Sequence, residues 1–404
     1  MPPLLPRAGS FRLDRASPPQ VLTLVAVTAV GALNMNIILP SLPGIARDFA
    51  ADYTLVALAV SAYLALTAGL QLVLGPLSDR YGRRPVLLGT FTIFLAATLG
   101  CVLAPTVGSF LLFRLMQAAV ASSMVLSRAI VRDLYPPDQA ASLLGYVTMG
   151  MSLAPLLGPM IGGVLDEAFG WRSVFAFTLA TGAAATLLIW ADLGETNQNR
   201  SASFTAQFRS YPELIRARRF WAYALTATFT SGAFFAFLGG GPWVATHLLG
   251  LTPAGLGLHY GMLAAGYMFG NFLSGRFAAR IGLQRMMLAG ALTGIVGLAG
   301  TLALVLAGPA TPLGFFATVS LLGIGNGLVM PSANAGTVSV LPHLAGSASG
   351  LAGAMMIGGG AALSVLGGSL ATVGAGWLVG LMLVSCLLGL ATTLWLMSMP
   401  RPEI

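Results

Sequence analysis

Lysine is absent from this chain of 404 residues, and all 20 of its basic residues are arginine. Schiff-base and lysine-nucleophile chemistry are therefore excluded. Charge of either sign is scarce. Only 8% of residues are charged, about a third of the roughly 25% that a soluble domain carries, which is too little to clothe a water-facing surface. With 56% hydrophobic residues and a mean hydropathy of +0.85, a soluble globular, disordered or collagen-like chain is excluded. Cysteine is nearly missing too: Cys101 and Cys386 both lie inside apolar runs and offer neither a disulfide framework nor metal-ligand spacing. The three histidines, His247, His259 and His343, lie near the ends of such runs, where a ring is more often solvated than part of a relay.

What is abundant is long apolar sequence. A membrane helix needs about 20 apolar residues, and a β-barrel would show short alternating segments instead. The runs here are continuous and predict twelve spans, near 21–42, 54–76, 85–105, 108–132, 139–165, 171–192, 220–248, 254–279, 284–308, 312–337, 345–370 and 374–398. Twelve crossings leave about 34 residues each with its loop, so no extramembrane enzyme domain fits. Residues 1–20 carry Arg7, Arg12 and Arg15 without a cleavage-site pattern, which predicts an uncleaved first span. The reading is an all-α polytopic membrane protein with a six-helix bundle over 1–193, a polar central loop over 194–219 and a second six-helix bundle over 220–404.

In a soluble protein the net charge of +8 and a pI near 10.1 would point to nucleic acid. Here they act as a topology signal, and no nucleic-acid partner is expected. With the N-terminus in the cytoplasm, 17 arginines fall on cytoplasmic segments, Arg47 and Arg172 fall outside, and Arg114 falls within a span. The positive-inside rule then places both termini and the central loop in the cytoplasm.

The halves repeat. Gly75, Arg80, Gly82 and Leu88 match Gly275, Arg280, Gly282 and Leu288 at an offset of 200, each set in the loop after the second span of its half. Parallel repeats about an axis normal to the membrane are a transporter architecture.

Several stretches then carry a resemblance. Gly75 to Arg84 (GPLSDRYGRR) resembles motif A of the major facilitator superfamily. Arg114-Leu-Met-Gln117-Ala118 resembles its motif B, with alanine where glycine is usual. Ala154-Pro155-Leu-Leu-Gly158-Pro159-Met-Ile-Gly162-Gly163 resembles motif C of the drug/proton antiporters. Residues 39–49, 128–135, 170–175 and 345–349 look like the bicyclomycin-resistance (Bcr/CflA) multidrug exporters. The resemblance spans the whole chain and implies two pseudo-symmetric six-helix halves, drug export and proton antiport. One position departs from it: Asn36, with Asn34 two residues before, stands where such exporters carry an acid near the outer end of span 1. No carboxylate lies deep in any predicted span. Asp79, Asp133 and Asp192 sit at cytoplasmic ends, and Asp48, Asp52, Asp166 and Glu167 at outer ones.

Arg114 is the single charge well inside a span, a placement that costs about 2.5–3.5 kcal/mol and demands partners. Asn36 lies at similar depth and is the expected partner, with Gln117 three residues along the same face as Arg114. Arg114 reads either as a fixed positive group of the transport cavity or as a strut bonded to backbone carbonyls. In the loop signature, Asp79 is expected to meet the positive N-terminus of span 11 near Gly346-Ser347, while Arg83 or Arg84 pairs with Asp133. Such contacts suit a gate, and topology anchoring accounts for part of Arg80, Arg83 and Arg84. Pro155, Gly158, Pro159, Gly162 and Gly163 predict a kinked span in close helix contact. Gly323-Ile-Gly325-Asn326-Gly327 mimics a nucleotide loop, but it follows no strand and lies in an apolar run.

The cavity is expected to be apolar with sparse polar groups. Candidates are Tyr260, Tyr267 and Asn271 on one face of span 8, Asn326 and Asn334 in span 10, the aromatic cluster Phe234, Phe235, Phe237 and Trp243, and Met149, Met151, Met355 and Met356. Stripes of this kind are more often core or lipid-facing. No cofactor and no metal are expected, and no enzyme activity, since no nucleophile–base set appears inside the spans. The expected partners are the bilayer of a bacterial inner membrane, a hydrophobic small molecule and protons, with the chain acting as a monomer. The residues leave open a specific metabolite transporter, a uniporter without proton coupling, or a transport-dead membrane sensor.

Overall fold

The computed structural model describes residues 15, 19–135, 143, 157–197, 211–308, 311–341 and 344–400, and among these every regular element is helical. The first half contains α1 (Val21–Asp48), α2 (Tyr53–Tyr81), α3 (Arg83–Leu103), α4 (Val107–Val131), α5 (157–169) and α6 (Trp171–Asp192). The second contains α7 (Arg218–Leu248), α8 (Pro253–Ile281), α9 (Leu283–Ala307), α10 (Pro312–Ser339), α11 (Ala345–Val373) and α12 (Ala375–Ser398). Ten of these are long and apolar enough to cross a bilayer; α5 and the 29-residue α8 stand where the sequence predicts spans 5 and 8. The helices outrun the apolar stretches: α2 continues past the predicted 54–76 through Asp79 and Arg80 to Tyr81. Pro155, Met149 and Met151 of the fifth span, and His343, lie outside the described residues.

The repeat is carried into the backbone. α2 and α8 begin at 53 and 253 and end at 81 and 281, and each is followed by a left-handed glycine, Gly82 (φ 102°) and Gly282 (φ 89°). A residue with a Cβ is disfavoured there, so the same sharp turn recurs at an offset of 200. Three helices change pattern along their length, α7 in a π-helical stretch, Val244–Leu248, at its end. In α1 a 3₁₀ turn, Leu39–Ser41, contains Pro40, which has no N–H to donate. In α4 a 3₁₀ stretch, Gln117–Ala121, begins three residues after Arg114.

The scarce acids are concentrated at helix N-termini, where unpaired N–H groups and the helix dipole favour negative charge. Asp52 caps its own helix α2 through the Thr54 N–H at 2.9 Å, and that N–H and the Thr54 hydroxyl hold its carboxyl below the ordinary range. Asp192 of α6 accepts from the Gln20 N–H and the Thr23 hydroxyl at the start of α1. Glu195 accepts from the Arg83 N–H at the start of α3. Glu167 accepts from the Ala254 N–H at the start of α8, across the two halves.

The apolar core shows how the halves meet. At the arginine-poor end one cluster runs through both, joining Leu42, Val56 and Phe110 to Phe237, Leu256 and Tyr260. At the arginine-rich end the clusters are separate, one around Phe91 and Ile130 in the first half and others around Tyr223 and Phe220 in the second. Between the ends α2 and α11 run side by side: Gly368 faces Ala57, and a Cβ on Gly353 would come 4.0 Å from Gln71 Oε1. The outer helix faces carry large apolar residues in the open, among them Leu103, Leu187 and Leu306, with Trp190, Trp377 and Trp395 exposed near helix ends. Lipid-facing chains and an aromatic belt have this pattern.

The glycines of α5 form part of the shared end. A Cβ on Gly158 would stand 3.2 Å from Asn36 Cβ, one on Gly162 would strike the Ile37 carbonyl, and one on Gly163 would strike the Pro253 carbonyl of the other half. Gly257 of α8 faces the Pro159 carbonyl in the same way. Gly162→Ala is therefore expected to lower stability by about 1–3 kcal/mol through overpacking, read as a lower fluorescence-detected melting midpoint. Gly89→Ala, on an exposed face of α3 with nothing within 4 Å, should leave the midpoint unchanged or raise it.

Candidate functional site

Three groups of predicted residues come together in space, two in the first half and one in the second. The first surrounds Arg114, whose side chain is fully buried. Its Nε donates to the Ala59 carbonyl of α2 at 3.0 Å, and its Nη1 to Asn34 Oδ1 of α1 at 3.1 Å and to Gln117 Oε1 at 2.7 Å. Its Nη2 donates to the Asn34 carbonyl at 3.0 Å, and the guanidinium carbon lies 4.2 Å from the centre of the Tyr63 ring. The acceptors are themselves fixed. Asn34 Nδ2 donates to Tyr63 Oη at 3.1 Å, and Gln117 Nε2 to Thr98 Oγ1 of α3 at 2.8 Å. One guanidinium thus ties α1, α2, α3 and α4 together. Among the described residues no carboxylate touches it, so its charge is met by neutral oxygens and a ring face.

The partner differs from the expected one. Asn34, not Asn36, binds Arg114, because residues two apart on a helix do not share a face. Asn36 turns toward α5 beside Gly158, and its Nδ2 donates to the Ala32 carbonyl of its own helix at 2.9 Å. Arg114 itself does not line the cavity described below, and its geometry is that of a strut. Tyr63, Thr98 and the Ala59 carbonyl escaped sequence reasoning. The first two are lone polar residues in apolar runs, a signal that was available; a backbone carbonyl leaves none.

The second group lines a cavity of about 180 Å³ between α7, α8, α10 and α11. Phe234, Phe235 and Ser231 come from α7, and Tyr260, Leu263 and Tyr267 from α8. Asn326 and Met330 of α10 and Met356 of α11 complete the wall with Ala264 and Gly323. Tyr260, Tyr267 and Asn326 are therefore brought together as predicted candidates. Asn334 is not one of them: it is exposed, because eight residues rotate an α-helix by about 80° beyond two full turns. Phe237 packs behind Tyr260 with ring centres 5.3 Å apart, Trp243 stacks on His247, and Asn271 donates to the Tyr267 carbonyl. His259 lies against Phe316, with ring centres 5.0 Å apart.

At the arginine-rich end, Arg83 is buried and reaches Asp79 at 2.6 Å and Asp133 at 2.9 Å, with Ser78 Oγ at 2.6 Å. This binds α2 and α3 to α4 within one half. Arg84 instead donates to the Trp190 carbonyl, and Arg80 is exposed over Tyr81. Gly82 stands where a side chain would collide with the Glu195 carboxylate, and Gly75 lies beside Val125.

The sequence profile described as "Major Facilitator Superfamily" matches residues 24–365, with a further match over 241–404. Multidrug resistance protein D of Escherichia coli is 30% identical, over 92% of this chain and 95% of its own length. A bicyclomycin resistance protein homolog of Haemophilus influenzae is 27% identical, over 86% of this chain and 88% of its own. Among solved structures, a D-xylose–proton symporter superposes with a TM-score of 0.74 at 16% identity, covering 94% of this chain and 97% of that one.

Replacing Arg114 by alanine leaves Asn34, Gln117 and the Ala59 carbonyl without their donor, at a cost of about 1–3 kcal/mol for each group left unsatisfied. Lysine restores a point charge without the fork that serves these acceptors at once. Both variants are expected to insert in the membrane but to melt lower than the parent and to lose transport; unchanged melting and activity in Arg114→Lys would count against the strut.

Proposed function

This chain belongs to the major facilitator superfamily, of the bicyclomycin-resistance (Bcr/CflA) drug-efflux type, and on that basis we propose that it exports amphipathic small molecules across the bacterial inner membrane by alternating access coupled to protons. The observation that carries this reading is the core that is joined at one end of the molecule and divided at the other. Two bodies that share a core at one end only can rock about it, and a rocking motion exposes a midplane site to each side in turn.

The arginine-rich end is the cytoplasmic one by the positive-inside rule, so the halves here are joined at the outer face. The α5–α8 seam, held by Gly163, Pro159 and the Glu167 cap on Ala254, closes that face and must part for release. When the cytoplasmic face closes in its turn, Asp79 approaches the N-terminus of α11, and the Arg83–Asp133 pair keeps α2, α3 and α4 moving as one body. Names of relatives support drugs as the cargo: one is a multidrug resistance protein and another a bicyclomycin resistance homolog.

Coupling is the finer step. One proton crossing 100 mV supplies about 2.3 kcal/mol, enough for roughly a 50-fold gradient at 1.4 kcal/mol per tenfold. Because Asn36 stands in place of the usual acid and, among the described residues, no carboxylate contacts Arg114, the proton is carried elsewhere, with Asp79, Asp133 or a histidine as the candidate groups. Uniport is the second reading, favoured by that same asparagine.

Everted membrane vesicles containing the protein are expected to accumulate a fluorescent dye on energisation and to lose that accumulation with a protonophore. Dye movement that runs only down its own gradient and is indifferent to the protonophore overturns antiport in favour of uniport; failure to move any compound of a broad panel overturns export. Asn36→Asp is expected to increase the proton dependence.

A further inference from the structure

The exporter reading leaves the kind of cargo open, and the second-half cavity narrows it. We propose that this cavity selects an uncharged aromatic molecule carrying one hydrogen-bond donor, that Asn326 receives the donor, and that cations are excluded. The assignment rests on the exporter reading for its physiological sense, but it stands on its own observations.

The first observation is a buried amide without a partner. Asn326 is 5% exposed and lines the cavity, and its Oδ1 accepts no hydrogen bond. A buried polar atom left in that state costs about 1–3 kcal/mol, and rotation of the amide would turn that oxygen to a ligand donor in the cavity. Two other polar groups of the wall already donate their protons, while their oxygens keep acceptor capacity. Ser231 donates to the Ala227 carbonyl at 2.6 Å, and the Tyr260 hydroxyl points at the Phe237 carbonyl. Asn326 Oδ1 is thus the buried wall oxygen that has no hydrogen bond at all.

The second observation is the absence of counter-charge. No lining residue is Asp, Glu, Arg or His. The deficit extends through the half, since between Glu213 and Glu403 the chain has no carboxylate at all. A cation in this cavity would shed water and find ring faces and an amide oxygen but no anion, and an anion would find no cation, so each carries a desolvation cost that a neutral solute does not. The fixed charge buried in the other half, Arg114, is also positive.

The third observation is shape. Phe234, Phe235, Tyr260 and Tyr267 offer ring faces, while Met330 and Met356 offer pliable thioethers. An apolar cavity of about 150 Å³ holds a benzene ring in another protein, so one of about 180 Å³ suits one substituted ring or two fused ones.

Three matched probes separate these demands: 2-naphthol, which is neutral with a donor; 2-methoxynaphthalene, which is neutral without one; and the 2-naphthyltrimethylammonium cation. Each is titrated against the purified full-length protein while its melting midpoint is followed, since a binder of the folded state raises it. The wild type is expected to respond to 2-naphthol at about tenfold lower concentration than to the methoxy compound, and not to the cation. Asn326→Leu and Asn326→Ala should respond to the two neutral probes alike, and either variant suffices if the other fails to fold. Asn326→Asp should gain a response to the cation. A wild type that responds to the cation as well as to 2-naphthol, or a donor preference that survives in the leucine and alanine variants, overturns the proposal. The vesicle assay keeps the two readings apart. Transport without donor preference leaves the exporter standing and removes this site, whereas donor preference without transport does the reverse.

Discussion

A guanidinium buried in an apolar bundle has to be satisfied completely, and much of the first half is organised by that demand. Arg114 makes hydrogen bonds to α1, α2 and its own helix, and Gln117 carries the network on to α3. Charge in such surroundings costs several kcal/mol unless it is bonded, so the four helices are held at a fixed spacing and the polar residues around them lose their freedom. The interruption of α4 three residues after Arg114 belongs to the same neighbourhood, since Gln117 opens the 3₁₀ stretch. The result is four helices tied together by one hydrogen-bonded network, the kind of body that the proposed rocking motion requires.

The seam between the halves follows a different principle. In lipid no hydrophobic drive separates one apolar helix from another, so close packing and backbone approach decide which helices touch. Gly163 brings α5 against α8 of the other half and Gly257 completes the approach from the other side, while Gly158 and Gly162 pack α5 on α1 within the first half. Tyr53 adds one polar tie, its hydroxyl donating to the Gly239 carbonyl at 2.8 Å. The halves also meet along the length of α2 and α11, where Gly368 faces Ala57.

The distribution of acids connects the two. Asp52, Asp192, Glu195 and Glu167 cap helix N-termini, and Asp79 and Asp133 are paired with Arg83. Each is fixed at a membrane end, so the described midplane is left with one positive charge, neutral amides and an apolar cavity. Proposed coupling and proposed cargo both follow from this poverty: the proton has to bind near an end, and the solute has to be one that needs no counter-charge.

Much of this was legible in the sequence. Twelve apolar runs, the arginine asymmetry and the 200-residue echo determined a polytopic helical repeat protein, because lipid leaves a chain almost no other way to satisfy its backbone. The motif residues identified the family, and Arg114 stood out as the one charge out of place. What tertiary structure decided was facing. Helical periodicity gives the angle between two residues but not the direction of a neighbouring helix, so Asn34 rather than Asn36 received Arg114, and Asn326 rather than Asn334 received the cavity. The Ala59 carbonyl and the Glu167 cap on α8 carried no sequence signal at all. A backbone group has no side-chain identity to read, and a contact between residues 87 positions apart exists only once the helices are packed.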